Sequence, residues 1–237
     1  MAAEYLQPFV LPTKPTEAQR RGSVDFYFPA GDGPRPAVLF VHGGPVTPTM
    51  RLVPRDWPAF IGYGQAMAER GVVGAVLDHR LHDLADYSAS EADLADAVDA
   101  LRTDPRVDAD RIAIWFFSGG GPLSSRWLDA SPETIRCLAF TYPLFGGRPR
   151  KPVDPRFQPV AALAGWQGVP IVLVRAGLEA PPVAATVAEF LAAAEQVDVQ
   201  VIDVPNGRHG FDFLDDTDES RAALVEAFDA VLGHLGG

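Results

Sequence analysis

Short runs rich in Val, Ile, Leu and Phe recur along the chain at 37–41, 72–77, 112–115, 137–140, 171–174 and 199–202. Runs of this length, apolar on successive positions, predict strands buried on both faces. The stretches between them carry the period of amphipathic helices. Ser90-Glu-Ala-Asp93 has the form of a capping start, after which Leu94, Val98 and Leu101 fall on one face and Glu91, Asp93, Asp96 and Asp99 on the other. A last helix from about Asp218 repeats the pattern with Leu224, Phe228, Val231 and Leu235. Alternation of this kind predicts an α/β fold, a mostly parallel sheet with helices on both faces. Residues 23–28 instead alternate with period two and predict an antiparallel edge strand.

In such sheets chemistry gathers at the carboxyl ends of the strands, so the residues just after each run carry the functional expectation. These ends read His42-Gly-Gly-Pro45, Asp78-His-Arg80, Ser118-Gly-Gly-Gly121, Thr141-Tyr142, Arg175-Ala-Gly-Leu-Glu179 and Asn206-Gly-Arg-His-Gly210. Ser118 closes an apolar strand and precedes three glycines. Small residues let a strand-to-helix turn take the strained conformation that exposes a nucleophile. Serine before glycines also makes ordinary loops and helix starts, so the motif is read together with the other strand ends. The usual pattern is G-x-S-x-G, and here Phe116 stands at the first glycine. A serine, an acid and a histidine follow separate strands in that order.

Composition narrows the classes. The chain has 237 residues, 47% hydrophobic and 22% charged, within the range of one α/β domain. Its net charge of −11 disfavours nucleic acid and other polyanionic partners. The first thirty residues hold Glu4, Glu17 and Asp25 and no apolar core long enough for a signal peptide, and no segment reaches the ~20 apolar residues of a membrane span. Cys137 is the single cysteine, so no intrachain disulfide can form; a cytoplasmic location is expected.

From about residue 20 to 237 the chain resembles the α/β-hydrolase family, most closely its small dienelactone-hydrolase-like and acyl-thioesterase-like esterases without a large cap domain. The resemblance rests on His42-Gly-Gly, on 104–115 before the serine, on Arg175-Ala-Gly-Leu-Glu179 and on His209-Gly-Phe. It implies one α/β-hydrolase domain over 1–237, with 1–20 as an N-terminal extension. It also implies a serine hydrolase acting on a small carboxylic ester or thioester through an acyl-enzyme, without cofactor. Ser118 would be the nucleophile, Glu179 the acid and His209 the base. The family more often has Asp as the acid, and the dienelactone hydrolases carry a cysteine nucleophile, so their substrate is not carried over.

An imidazole must take the serine proton during attack and a carboxylate must orient the imidazolium, which are the tasks of His209 and Glu179. The oxyanion needs two backbone donors, placed at Gly119 and Gly44; Pro45 has no N–H to give. Asp203 and Asp212 are the alternative acids, and Glu179 is preferred because it alone follows the penultimate strand. His42 is expected to shape the oxyanion loop, and Phe116, Phe117 and Tyr142 to line the substrate pocket; Arg80 is expected either to tie the strand end to neighbouring loops or to face that pocket. The 78–83 segment holds two histidines and two aspartates, but its spacing is local and no second ligand cluster accompanies it, so no metal is expected.

A reading from another class is a catalytically silent α/β-hydrolase-fold protein that binds a ligand or partner, with Phe116 crowding the serine. The loops 43–62 and 141–159 carry Arg51, Arg55, Arg148, Arg150, Lys151 and Arg156 against Asp56 and Asp154. Such cations are either solvated and paired with helix acids or form a mouth that attracts an anionic substrate.

Overall fold

The computed structural model describes residues 4–50, 52–146 and 154–236. In chain order the elements are β1 (Gln19–Arg21), β2 (Val24–Tyr27), β3 (Arg35–Val41), α1 (Pro58–Glu69), β4 (Val73–Leu77), α2 (Tyr87–Thr103), β5 (Val107–Phe117), α3 (Ser125–Asp129), β6 (Ile135–Thr141), α4 (Pro159–Ala162), β7 (Ile171–Ala176), α5 (Pro181–Ala193), β8 (Val199–Val204), α6 (Phe211–Leu214) and α7 (Asp218–His234), with short 3₁₀ turns between. The strands form one eight-stranded sheet in the order β1-β2-β4-β3-β5-β6-β7-β8. Strands β1 and β2 run antiparallel to their neighbours and the rest are parallel.

The apolar runs are strands because both of their faces are covered. Alternate residues of β5 divide between two cores. Ile112, Ile114 and Phe116 face α2, α3 and α5, packing with Leu94, Leu101, Trp127 and Phe190. Ala113, Trp115 and Phe117 face α1 and α7, packing with Tyr63, Met67, Leu224 and Phe228. The buried Trp115 indole donates to Thr141 Oγ1 at 2.8 Å, which satisfies its only polar group.

Two local expectations are corrected. The alternating stretch at 23–28 forms β2, but it is not the sheet edge: the three-residue β1 pairs outside it, with Arg20 beside Asp25. Helix α2 starts at Tyr87 rather than at Ser90, whose hydroxyl donates back to the Asp86 carbonyl at 3.0 Å and so does not cap. The last helix begins at Asp218, where Thr217 Oγ1 accepts the Ser220 N–H at 3.1 Å. No described helix is long and apolar enough to cross a membrane.

Candidate active site

Ser118 follows β5 directly and starts the 3₁₀ turn Ser118–Ser124. Its φ of 48° lies in the left-handed region, which costs a residue with a side chain about 1–2 kcal/mol and here swings the hydroxyl off the strand end. The turn is held by close backbone approaches. A Cβ on Gly119 would stand 2.3 Å from the Gly44 carbonyl oxygen, and one on Gly43 2.7 Å from Ser118 Cβ. Only glycines let the loop after β3 lie against the serine.

His209 and Glu179 arrive from the ends of the next strands. The Glu179 loop follows β7 and the His209 loop follows β8, and the two are joined by the Leu178 N–H donating to the Gly207 carbonyl at 2.9 Å. Ser118 Oγ lies 2.7 Å from His209 Nε2, and His209 Nδ1 lies 2.5 Å from Glu179 Oε2. The other Glu179 oxygen accepts the Ala180 N–H at 2.7 Å, which fixes the carboxylate plane. A carboxylate on Nδ1 leaves the lone pair of neutral imidazole on Nε2, aimed at the hydroxyl. Of the three acids considered, Glu179 is thus the one bonded to the imidazole. Asp203 pairs with Arg175 on the surface at 2.7 Å, and Asp212 is held by two tyrosines.

His42 and His79 support the loop after β3. Their rings stack at 3.7 Å between centroids, fully buried or nearly so. His42 Nε2 accepts the His79 N–H at 3.3 Å, so the proton sits on Nδ1, which donates to the Gly43 carbonyl at 2.5 Å. Burial keeps this pair neutral, holding His42 well below the usual histidine range and His79 down at about 4. In a trans peptide the N–H opposes the C=O, so a Gly43 carbonyl turned toward His42 turns the Gly44 N–H the other way. Gly44 lines the cavity beside Ser118.

That cavity, of about 270 Å³, is largely aromatic and aliphatic, with Tyr5, Met50, Trp57, Phe60, Phe117 and Phe213 around Ser118 and His209. Phe117 packs edge-on against Phe60 at 5.1 Å. Tyr142, with φ of 38°, sets its ring 4.6 Å from that of His209 and donates its hydroxyl to Asp212 Oδ1 at 2.8 Å. Tyr63 donates to Asp212 Oδ2 at 2.9 Å. Burial pushes the Asp212 carboxyl up to about 6, against the opposing pull of these hydroxyls.

The structure places two expected pocket residues elsewhere. Phe116 lies on the far side of the sheet, wholly buried and stacked on Phe140 at 5.5 Å, because adjacent strand residues point to opposite faces. It fills the other core and does not touch the cavity. Arg80 turns outward and clamps Asp93 of α2, with Nη2 2.7 Å from Oδ1, so it ties the β4 end to a helix. In the 78–83 segment, His79 is spent in the stack and His82 Nδ1 lies 2.8 Å from the Val46 carbonyl.

Of the loop cations, Arg55 donates to the Gly22 carbonyl at 2.7 Å and stands near Asp25 and Asp78, and Arg156 pairs with Asp154. Arg51, Arg148, Arg150 and Lys151 lie outside the described residues. The sequence reading missed Tyr5, Trp57, Phe60 and Tyr63. The i, i+3 spacing of the last three on one helix face was the signal available.

No protein-family model matches the sequence, and no curated protein does. Solved structures do resemble it. Esterase 2 of Thermogutta terrifontis, phosphoramylated by tabun, superposes with a TM-score of 0.72 at 16% identity over 93% of this chain and 95% of that one. Acylaminoacyl peptidase of Pyrococcus horikoshii gives 0.71 at 15% identity over 92% of this chain and 42% of its own. Dipeptidyl peptidase 4 of Porphyromonas gingivalis gives 0.69 at 18% identity over 92% and 36%. Together with the strand order, these likenesses establish the α/β-hydrolase fold.

Proposed function

We propose that this protein is a serine hydrolase that cleaves a small carboxylic ester or thioester through an acyl-enzyme. The observation that carries the reading is the continuous relay Glu179–His209–Ser118, with contacts of 2.5 and 2.7 Å at the carboxyl ends of three strands. Ser118 Oγ attacks the acyl carbon while His209 Nε2 takes its proton. Glu179 holds the imidazolium so formed. The negative charge moves to the carbonyl oxygen, where the N–H groups of Gly44 and Gly119 receive it. Collapse of the tetrahedral adduct expels the alcohol or thiol, which leaves with the proton from His209. A water then repeats the steps, deprotonated by the same imidazole, and frees the acid and the serine.

The lining supports a neutral, apolar substrate group. No Arg or Lys borders the cavity among the described residues, and Asp212 disfavours an anion there. The structural neighbours are named as esterases and peptidases, and one Thermogutta esterase structure holds butyrate. A silent fold loses its motive, since Phe116 stands on the opposite face of the sheet from Ser118's cavity.

The test is labelling of the purified protein by a fluorophosphonate, with hydrolysis of p-nitrophenyl butyrate followed in parallel. Label should map to Ser118, and Ser118→Ala and His209→Ala should each lose about 10³-fold or more in kcat while staying folded. Glu179→Gln should fall strongly where Asp203→Asn does not. A folded wild-type protein that neither takes the label nor turns over esters or thioesters would overturn the proposal.

A further inference from the structure

The N-terminal segment, outside the span of the family resemblance, is bound across the face of the molecule that carries the cavity. The short turn Glu4–Leu6 is closed by the Gln7 N–H on the Glu4 carbonyl at 3.0 Å. Beyond it the chain is fastened at successive points. Phe9 packs on Tyr63 at 4.7 Å and sits over Gly62, where a Cβ would stand 2.4 Å from its ring. The Val10 N–H donates to the Asp212 carbonyl at 3.0 Å, and Thr13 Oγ1 donates to Gln65 at 2.8 Å. The Lys14 N–H reaches the Glu69 carboxylate. The segment is therefore tied both to α1 and to the stretch that follows His209.

Those ties anchor the segment that carries Tyr5. Its ring packs on Trp57 at 4.9 Å; Trp57 meets Phe60 at 6.1 Å, and Phe60 meets Phe117, the neighbour of Ser118, at 5.1 Å. The four rings form a continuous wall running away from the nucleophile, and Tyr5 is its outer member and borders the cavity. We infer that Tyr5 sets the length of the apolar substrate group the cavity accepts, with the N-terminal segment serving as a fixed wall of the active site. This inference rests on the hydrolase reading of the same site.

Each buried methylene is worth ~0.8 kcal/mol, about fourfold in kcat/KM, so a ring that blocks the space of a few methylenes imposes a steep limit on length. The experiment compares kcat/KM over two ester series, p-nitrophenyl acetate to decanoate and 1-alkyl acetates of the same lengths. The variants are Tyr5→Ala, Tyr5→Phe and Tyr5→Trp. In the series that enters this end of the cavity, Tyr5→Ala should raise the ratio of eight-carbon to four-carbon substrate by at least about tenfold. Tyr5→Phe should leave the ratio unchanged, because the ring and not the hydroxyl fills the space, and Tyr5→Trp should lower it. Labelling by a small methyl fluorophosphonate should still map to Ser118 in all three, which shows that the nucleophile is intact.

Active variants with wild-type ratios in both series would overturn the inference and leave the hydrolase reading standing. A ratio that moves equally in Tyr5→Phe would also overturn it, since the hydroxyl would then be the cause. A wild-type protein without labelling or turnover would bring down both.

Discussion

Asp212→Asn should change the pH dependence of stability in a predictable direction. The wild-type carboxyl is buried against Tyr63 and Tyr142 and is pushed up to about 6 from 3.8. An acid that binds its proton more tightly when folded stabilises the fold below its unfolded value and loses that contribution as pH rises through the folded value. The rise corresponds to roughly 3 kcal/mol in full, of which about 2 kcal/mol falls between about pH 4.5 and pH 8. Asparagine keeps the shape, and the phenol hydroxyls can rotate so that one donates to its oxygen and the other accepts from its amide. Other carboxylates oppose the trend. Asp104, held at about 2 chiefly by the Arg106 guanidinium, loses stability as pH falls. Such contributions are common to both proteins and cancel in the difference. Urea unfolding of wild type and Asp212→Asn over this range should therefore show the variant gaining about 2 kcal/mol on the wild type as pH rises. Parallel curves, or a variant that loses ground on the wild type as pH rises, would refute the assignment of a reluctant buried charge to Asp212.

Two further outcomes follow from the packing. Gly119→Ala places a Cβ 2.3 Å from the Gly44 oxygen and 3.1 Å from its nitrogen. It should separate the two amides proposed as oxyanion donors and lower kcat for p-nitrophenyl butyrate by about 10²-fold or more; a variant within a few-fold of wild type would show that these amides do not act together. Phe116→Ala should destabilise by about 3–5 kcal/mol in denaturant titration, the range for an aromatic deleted from a core, yet leave the ester chain-length profile unchanged. A changed profile in the folded variant would return Phe116 to the pocket.

The strands were legible because burial on both faces leaves short continuous apolar runs, which their length separates from helices. The apolar runs at 37–41, 137–140 and 171–174 became the cores of β3, β6 and β7. Reading the residues after each run is what brought Ser118, Glu179 and His209 forward, and topology then set them side by side. The edge strand β1 escaped because Gln19, Arg20 and Arg21 are all exposed, so no apolar signal accompanies its backbone pairing. That Arg80 ties down the strand end was legible, but its partner escaped because Asp93 lies on the next helix and not in a loop, and α2's true start escaped because Ser90 bonds to a carbonyl rather than to an amide.

The error at Phe116 has a different origin. A run such as Ile112-Ala-Ile-Trp-Phe-Phe117 is apolar at every position, so it declares a strand and hides which residues share a face. Placing Ser118 at its end fixes the parity of the residues before it only if the helix layer that roofs the site is known. The helices themselves carry part of that information. The buried face of α2 is mostly aliphatic, with Leu94, Ala97, Val98 and Leu101, whereas the start of α1 presents Trp57, Phe60 and Tyr63 at helical spacing. Aromatic rings present large, rigid surfaces, so a few of them can line a cavity wall. Helices of the other layer also bury rings, Tyr87, Trp127 and Phe190, so it is the structure that sets α1 over the cavity side, with Phe117 facing it, and the phase of the whole strand follows.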